Sequence, residues 1–366
     1  MMEYRCKTTV TEEFIKQFIA LPKKLYDKKH ITQDDVVERA ILTGTHILSR
    51  DFMVYPFLVE DSSHKSVCRC ILTCYPEDEK AYLGFFESLN APAACHLMLQ
   101  QVFEICARNE KKEVVGPVDA SFWIKYRFKT NHFENRPYLS EPYNKPYYMK
   151  LWSDNGFEVW ERYASWLMRR PTKQDEDPKC KKRYDTMLEK GYRMESPTWK
   201  GFDACMEQVY EQLIELYVDF PCFTYISKEQ FMALFSSLRY ALDYRMTKLV
   251  YKEDKLVAFS INPPDLGNVV CGKITPAKCI SAVHRRLFPR RYVLLYMGVD
   301  RQHPGLGGAM AHLLKLTLTE KKCQSVTALV KRGKATANYY HRELATEEYG
   351  YVLMRKKLTL MSLKEK

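Results

Sequence analysis

Residues 294–315 read LLYMGVDRQHPGLGGAMAHLLK, an apolar run, a glycine-rich turn and an amphipathic segment. Leu294, Leu295, Tyr296, Met297 and Val299 have the composition of a buried strand, while Ala309, Leu313, Leu314 and Leu316 recur at helical spacing. Between them lie Gln302, Gly305, Gly307 and Gly308. Glycine accepts positive φ and lets a ligand reach the backbone. The amides of a first helical turn have no partner within the helix. The helix dipole adds partial positive charge there, so the turn is suited to an anion.

Two phosphate-binding motifs are excluded. A P-loop needs Lys and Ser or Thr after its glycines, whereas Gly307 and Gly308 run into Ala309 and Met310. The dinucleotide fingerprint needs three spaced glycines directly after a strand, which Gly305, Gly307 and Gly308 do not supply. Gln302-x-x-Gly305-x-Gly307 followed by Ala309 resembles the coenzyme A pyrophosphate loop of the GNAT acetyltransferase superfamily.

At 366 residues the chain exceeds the usual size of one core, so two domains are expected. Its net charge of +12 suits nucleic acid or an anionic cofactor equally. The cations are scattered, with local groups only at Lys181-Lys182-Arg183 and Arg355-Lys356-Lys357, and no aromatic RNA-binding signature accompanies them. Nucleic acid is therefore not the expected partner. The twelve cysteines lack paired C-x-x-C spacing, so no metal site is expected and the thiols read as reduced and cytoplasmic. No stretch approaches the ~18 apolar residues of a membrane helix, and the start has no apolar leader, so no membrane partner is expected.

Periodicity predicts helices at 11–24, 34–48 and 96–108, strands at 53–59, 66–75, 80–86 and 113–118, a short helix at 147–156 and a strand at 157–168. Residues 171–182, rich in Pro, Asp, Glu and Lys, are the expected linker between domains at 1–170 and 183–366. Beyond it the order recurs: a strand at 193–202, helices at 205–217 and 228–242, and a hairpin of 247–251 with 255–262. After the glycine turn come strand 325–331, a helix near 335–344 and a last strand at 349–358.

The halves read as copies of one plan, with 82–119 lying over 295–332. The first copy has Ser88, Leu89, Asn90, Ala91 and Pro92 where the second has glycines, and Pro92 has no amide to donate. The cofactor is therefore expected in the second copy alone.

The order of elements matches the GNAT superfamily. Phe18–Tyr26 (FIALPKKLY), Gly84-Phe85-Phe86-Glu87, Gly116-Pro117, residues 142–148 (PYNKPYY) and Gly156-Phe157 resemble uncharacterised bacterial two-domain GNAT proteins. Phe85, Phe86 and Pro117 read as core and turn residues. The resemblance implies an α/β (α+β) fold of two tandem GNAT-like domains, each a mixed, mostly antiparallel sheet flanked by helices. It further implies an N-acyltransferase using acetyl-CoA, in which an amine attacks the thioester directly. On this resemblance Met297, Gly298 and Val299 offer backbone to pantetheine, and Gln302, His303, Gly305, Leu306, Gly307 and Gly308 surround the pyrophosphate. His303 also reads as an ordinary turn residue. A tyrosine on the helix after the fifth strand, Tyr340 or else Tyr339, supplies a proton to the leaving sulfur. Asp300 and Glu343 are candidate bases. The acceptor is expected to be a small-molecule or peptide amine. Two other readings stay open: an aminoacyl-tRNA-dependent transferase of the tandem type, and a non-catalytic acyl-CoA-binding protein.

Overall fold

The computed structural model describes residues 3–333 and 342–358. In chain order the first half forms β1 (Tyr4–Lys7), α1 (Glu12–Leu25), α2 (Asp35–Leu42), β2 (Met53–Asp61), β3 (Ser66–Cys74), β4 (Lys80–Ser88), α3 (Pro92–Arg108), β5 (Glu113–Gly116), β6 (Phe128–Lys129), α4 (Tyr148–Ser153) and β7 (Glu158–Met168). Then follow α5 (Pro178–Glu189), β8 (Tyr192–Glu195), α6 (Phe202–Tyr217), α7 (Lys228–Phe235), α8 (Leu238–Ala241), β9 (Lys248–Lys252) and β10 (Lys255–Ile261). The chain ends with α9 (Pro276–Leu287), β11 (Arg291–Leu294), β12 (Tyr296–Val299), α10 (Leu306–Lys321), β13 (Gln324–Lys331) and β14 (Ala345–Lys357).

Local chemistry explains several bounds. Thr11 caps α1 by accepting from the Phe14 amide, with Glu12 and Glu13 in the first turn and Lys23 and Lys24 in the last, while Phe14, Ile15, Phe18 and Leu21 turn inward. The prolines at 171 and 178 read as punctuation of a linker, yet Pro178 is the first residue of α5. Its missing N–H costs nothing there, and Asp177 caps the Lys179 and Cys180 amides. Residues 178–182 are thus helix. A similar Thr275–Pro276 start opens α9, which periodicity did not reveal. The strand expected at 193–202 stops at Glu195, and the helix expected at 34–48 stops at Leu42.

The chain divides into two compact units, Met1–Arg162 with Val270–Ile274 and Tyr351–Lys366, and Tyr163–Val269 with Thr275–Gly350. In the first unit β1, β2, β3 and β4 form an antiparallel run, β5 lies parallel to β4, and residues 354–357 of β14 lie antiparallel to β5 while 351 and 352 pair with β6. Met98, Leu99 and Val102 of α3 share one core with Leu72, Leu83 and Trp152. In the second unit β8, β9, β10 and β12 make one sheet, while β11 lies parallel to β13 and residues 163–168 of β7 lie antiparallel to it. Each unit therefore takes one strand from the other half of the sequence. The fold is the expected mixed, largely antiparallel α/β arrangement flanked by helices. Among the described residues no helix is long and apolar enough to cross a membrane.

Candidate active site

The apolar run at 294–299, read as a single strand, is two strands that break at Leu295. β11 follows β13 as far as Leu294 opposite Thr327. β12 then pairs with β10, setting Met297 opposite Ser260 and Val299 opposite Ala258, and it is the edge strand of that sheet. β13 turns the other way: its register shifts between Thr327 and Val330, Leu329 takes φ 57°, and the Leu329 amide donates to Ser165 Oγ at 2.7 Å. Two neighbouring strands thus part midway.

Gly298 belongs to packing. A Cβ built there would stand 2.9 Å from both Leu216 Cδ1 and Phe259 Cζ, so only glycine lets α6 and β10 close on the strand. The Tyr217 hydroxyl donates to the Met297 carbonyl at 3.3 Å, placing a phenol at the edge of β12. Sequence reasoning missed this tyrosine, because its partner lies on a distant strand.

The turn is tied by its own backbone. The Asp300 amide donates to the Val257 carbonyl, Asp300 Oδ1 accepts from the Gln302 amide at 2.9 Å, and the His303 amide donates to the Asp300 carbonyl. Asp300, a candidate base, is engaged in holding the loop, with Lys255 Nζ 3.7 Å from its other oxygen. His303 Nδ1 lies 2.7 Å from the Tyr192 hydroxyl. Gln302 is exposed, and Leu306 is fully buried beside Met187, Met246 and Val257. Glu343 is exposed in a short turn. Tyr339 and Tyr340 lie outside the described residues.

Gly305 caps α10 with φ 92°, a left-handed conformation that disfavours a side chain. The Leu306 amide donates to the His303 carbonyl and the Gly308 amide to the Gly305 carbonyl; the Gly305 and Gly307 amides donate to nothing among the described residues. Arg183 of α5 lies across this helix start. A Cβ on Gly308 would stand 2.8 Å from its Nη1, and no carboxylate pairs with the guanidinium among the described residues. A cation resting on the positive end of a helix dipole, beside two unused amides, is an arrangement that an anion completes. The donor set therefore fits a pyrophosphate. Arg183 appeared in the sequence only as part of a basic triplet, and what distinguishes it is the α5–α10 packing.

The first unit completes the corresponding stretch differently. β4 pairs with β5 to Tyr82 opposite Val115, the Val118 amide still donates to the Leu83 carbonyl at 2.8 Å beyond it, and β4 runs on to Ser88. There the Ser88 amide donates to the Tyr148 hydroxyl at 2.9 Å, and the Tyr147 hydroxyl donates to the Ser88 carbonyl at 2.8 Å. Trp152 packs so closely behind that a Cβ on Gly116 would lie 2.6 Å from its ring. α3 starts at Pro92 after Ala91, with no side-chain cap.

No protein-family model matches the chain, and no curated protein matches it in sequence. Solved structures do match. A GCN5-related glucosamine N-acetyltransferase region of a fungal multi-domain GH3 β-N-acetylglucosaminidase superposes with TM-score 0.53 at 12% identity, over 97% of this chain and 38% of that one. The present chain thus spans well under half the length of that protein. A tandem GNAT protein from the clavulanic acid biosynthesis pathway superposes with TM-score 0.52 at 11% identity, over 98% of each chain. A GCN5-related N-acetyltransferase from Kribbella flavida gives TM-score 0.50 at 8% identity, over 98% of this chain and 71% of that one. At these identities the likeness is one of fold alone, and the chain folds like a tandem GNAT protein.

Proposed function

We propose that this protein is an acyl-CoA-dependent N-acyltransferase that holds acetyl-CoA in its second unit and acts on a small-molecule or peptide amine. The observation that carries this reading is the strand separation at Leu294 and Thr327, followed directly by a helix start whose Gly305 and Gly307 amides and whose Arg183 have no partner among the described residues. Acetyl-CoA, when bound, supplies an acyl thioester. The Gly305 and Gly307 amides with Arg183 would hold its pyrophosphate, and the edge of β12 at Met297–Val299 would align its pantetheine. Asp300 keeps the loop in register by bonding the Gln302 amide.

The chemistry asked of the protein is orientation and proton handling. Tyr217 holds a hydroxyl proton on the Met297 carbonyl, beside the separated strands, and is a proton donor candidate in addition to Tyr339 and Tyr340. Asp300 being engaged in the loop, water is the simplest acceptor for the proton that the amine loses.

The test is thermal stabilisation by acetyl-CoA together with thiol release against a panel of amines, including amino sugars and peptides. Saturable stabilisation with amine-dependent thiol release supports the reading. Stabilisation without release would make the protein a non-catalytic binder. No response to acetyl-CoA but tight, salt-sensitive tRNA binding would make it an aminoacyl-tRNA-dependent transferase.

A further inference from the structure

The first unit contains a solvent-open pocket of about 430 Å³ on which the sequence motifs at 84–87, 116–117 and 142–144 converge. Most of the charge around it is already satisfied. Arg69 Nη1 and Nη2 donate to the two oxygens of Glu38 at 2.6 and 2.9 Å. Glu87 accepts from the Tyr26 and Tyr148 hydroxyls at 2.6 and 2.7 Å and from Gln33. Arg127 lies over the Tyr126 ring, 3.6 Å from its centroid.

Two opposite charges are different. The Asp119 amide donates to the Lys125 carbonyl at 2.7 Å, and Val118 bridges Tyr126, so a short loop sets the two residues side by side. Their side chains form no ion pair. Lys125 Nζ donates instead to the Thr32 carbonyl at 2.7 Å. Asp119 Oδ1 accepts from the Phe85 amide at 2.5 Å, and Oδ2 has no donor among the described residues. Phe85, Tyr126 and Tyr143 wall the same space, and aromatic faces attract an ammonium group. The backbone is strained around it, with φ 49° at Phe85, 59° at Ala120 and 92° at Arg127, a concentration of cost characteristic of functional sites.

We propose that this pocket binds a small zwitterionic amine of the amino acid class, its ammonium on Asp119 and its carboxylate on Lys125. A lone amine or a lone carboxylate would use half of the site. The assignment is independent of acetyl-CoA binding in the second unit.

Titration of the full chain with glycine, L-alanine and β-alanine, followed by thermal shift and calorimetry, tests it, with ethylamine and acetate as one-sided controls. The expected result is a saturable response to at least one amino acid at several-fold lower concentration than to either control. Asp119→Asn should weaken that response at least about tenfold, the loss of a hydrogen bond to a charged group. Lys125→Met should abolish the preference over ethylamine, and it remains informative if the Asp119 variant does not fold. No saturable response to any amino acid, an equal response to acetate, or unchanged binding in both variants would overturn the proposal.

Discussion

The protein repeats one plan of strand, turn and helix and finishes the two copies differently. In the first unit β4 stays bonded to the chain after β5 through Leu83 and Val118, Tyr147 and Tyr148 hydrogen-bond the Ser88 backbone at its end, and Trp152 lies against Gly116. In the second, the strands part at Leu294 and Thr327 beside a helix start that carries unused amides. The Ser88 amide and carbonyl are taken by tyrosine hydroxyls, whereas the Gly305 and Gly307 amides, without partners among the described residues, stand beside a guanidinium. On the proposed reading, the second copy is the one that binds a ligand.

Four changes would break or sharpen this contrast. The largest effect is expected in the first unit. Trp152 is fully buried among Phe86, Phe128 and Phe157, so Trp152→Ala should cost about 3–5 kcal/mol in urea unfolding. Acetyl-CoA affinity should stay within about twofold wherever that variant remains folded, since Trp152 and the proposed site belong to different compact units. Next comes Gly305→Val. Its φ of 92° is strained for a β-branched residue by about 1–3 kcal/mol, which corresponds to about 10- to 100-fold weaker acetyl-CoA binding by calorimetry. The matching Ala91→Val in the first unit should leave affinity unchanged.

Arg183→Ala should weaken acetyl-CoA about tenfold and flatten the salt dependence of binding, with Arg183→Lys recovering part of both. If neither variant alters affinity, the anion lies elsewhere. The smallest effect concerns pH. Burial raises the Glu87 carboxyl to about 7 against opposing contributions from Arg69, Tyr26 and Tyr148. Between the ordinary glutamate value and 7 the folded chain keeps a proton that the unfolded chain has released, so this group's contribution to stability falls as pH rises through that window. Burial also raises Glu38, Asp119 and Glu141, so part of the slope persists without Glu87. Unfolding from about pH 5 to about pH 7.5 should therefore cost wild type on the order of 1 kcal/mol more stability than Glu87→Gln.

Much of this was legible in the residues. The glycines at 305, 307 and 308 marked the helix start, and Pro92 marked its altered counterpart, because both act through local backbone geometry. Asp300 read as a candidate base by position, yet its carboxylate holds the Gln302 amide. Arg183 read as surface charge because nothing local distinguishes it from Lys181 and Lys182. Tyr217 and Trp152 read as helix aromatics for the same reason.

The sequence by itself determined the duplicated plan, the identity of most strands and helices, and which copy has an open turn, since each depends on spacing over a few residues. Only the tertiary structure decided that β5 takes residues 354–357 as its neighbour while β13 takes residues 163–168. It alone decided that Tyr147 and Tyr148 bond the Ser88 backbone, that α5 lays Arg183 over Gly308, and that Asp119 and Lys125 share a pocket without pairing. Apolar alternation makes a strand competent to pair but does not name its partner. That choice follows from how all the buried faces close together.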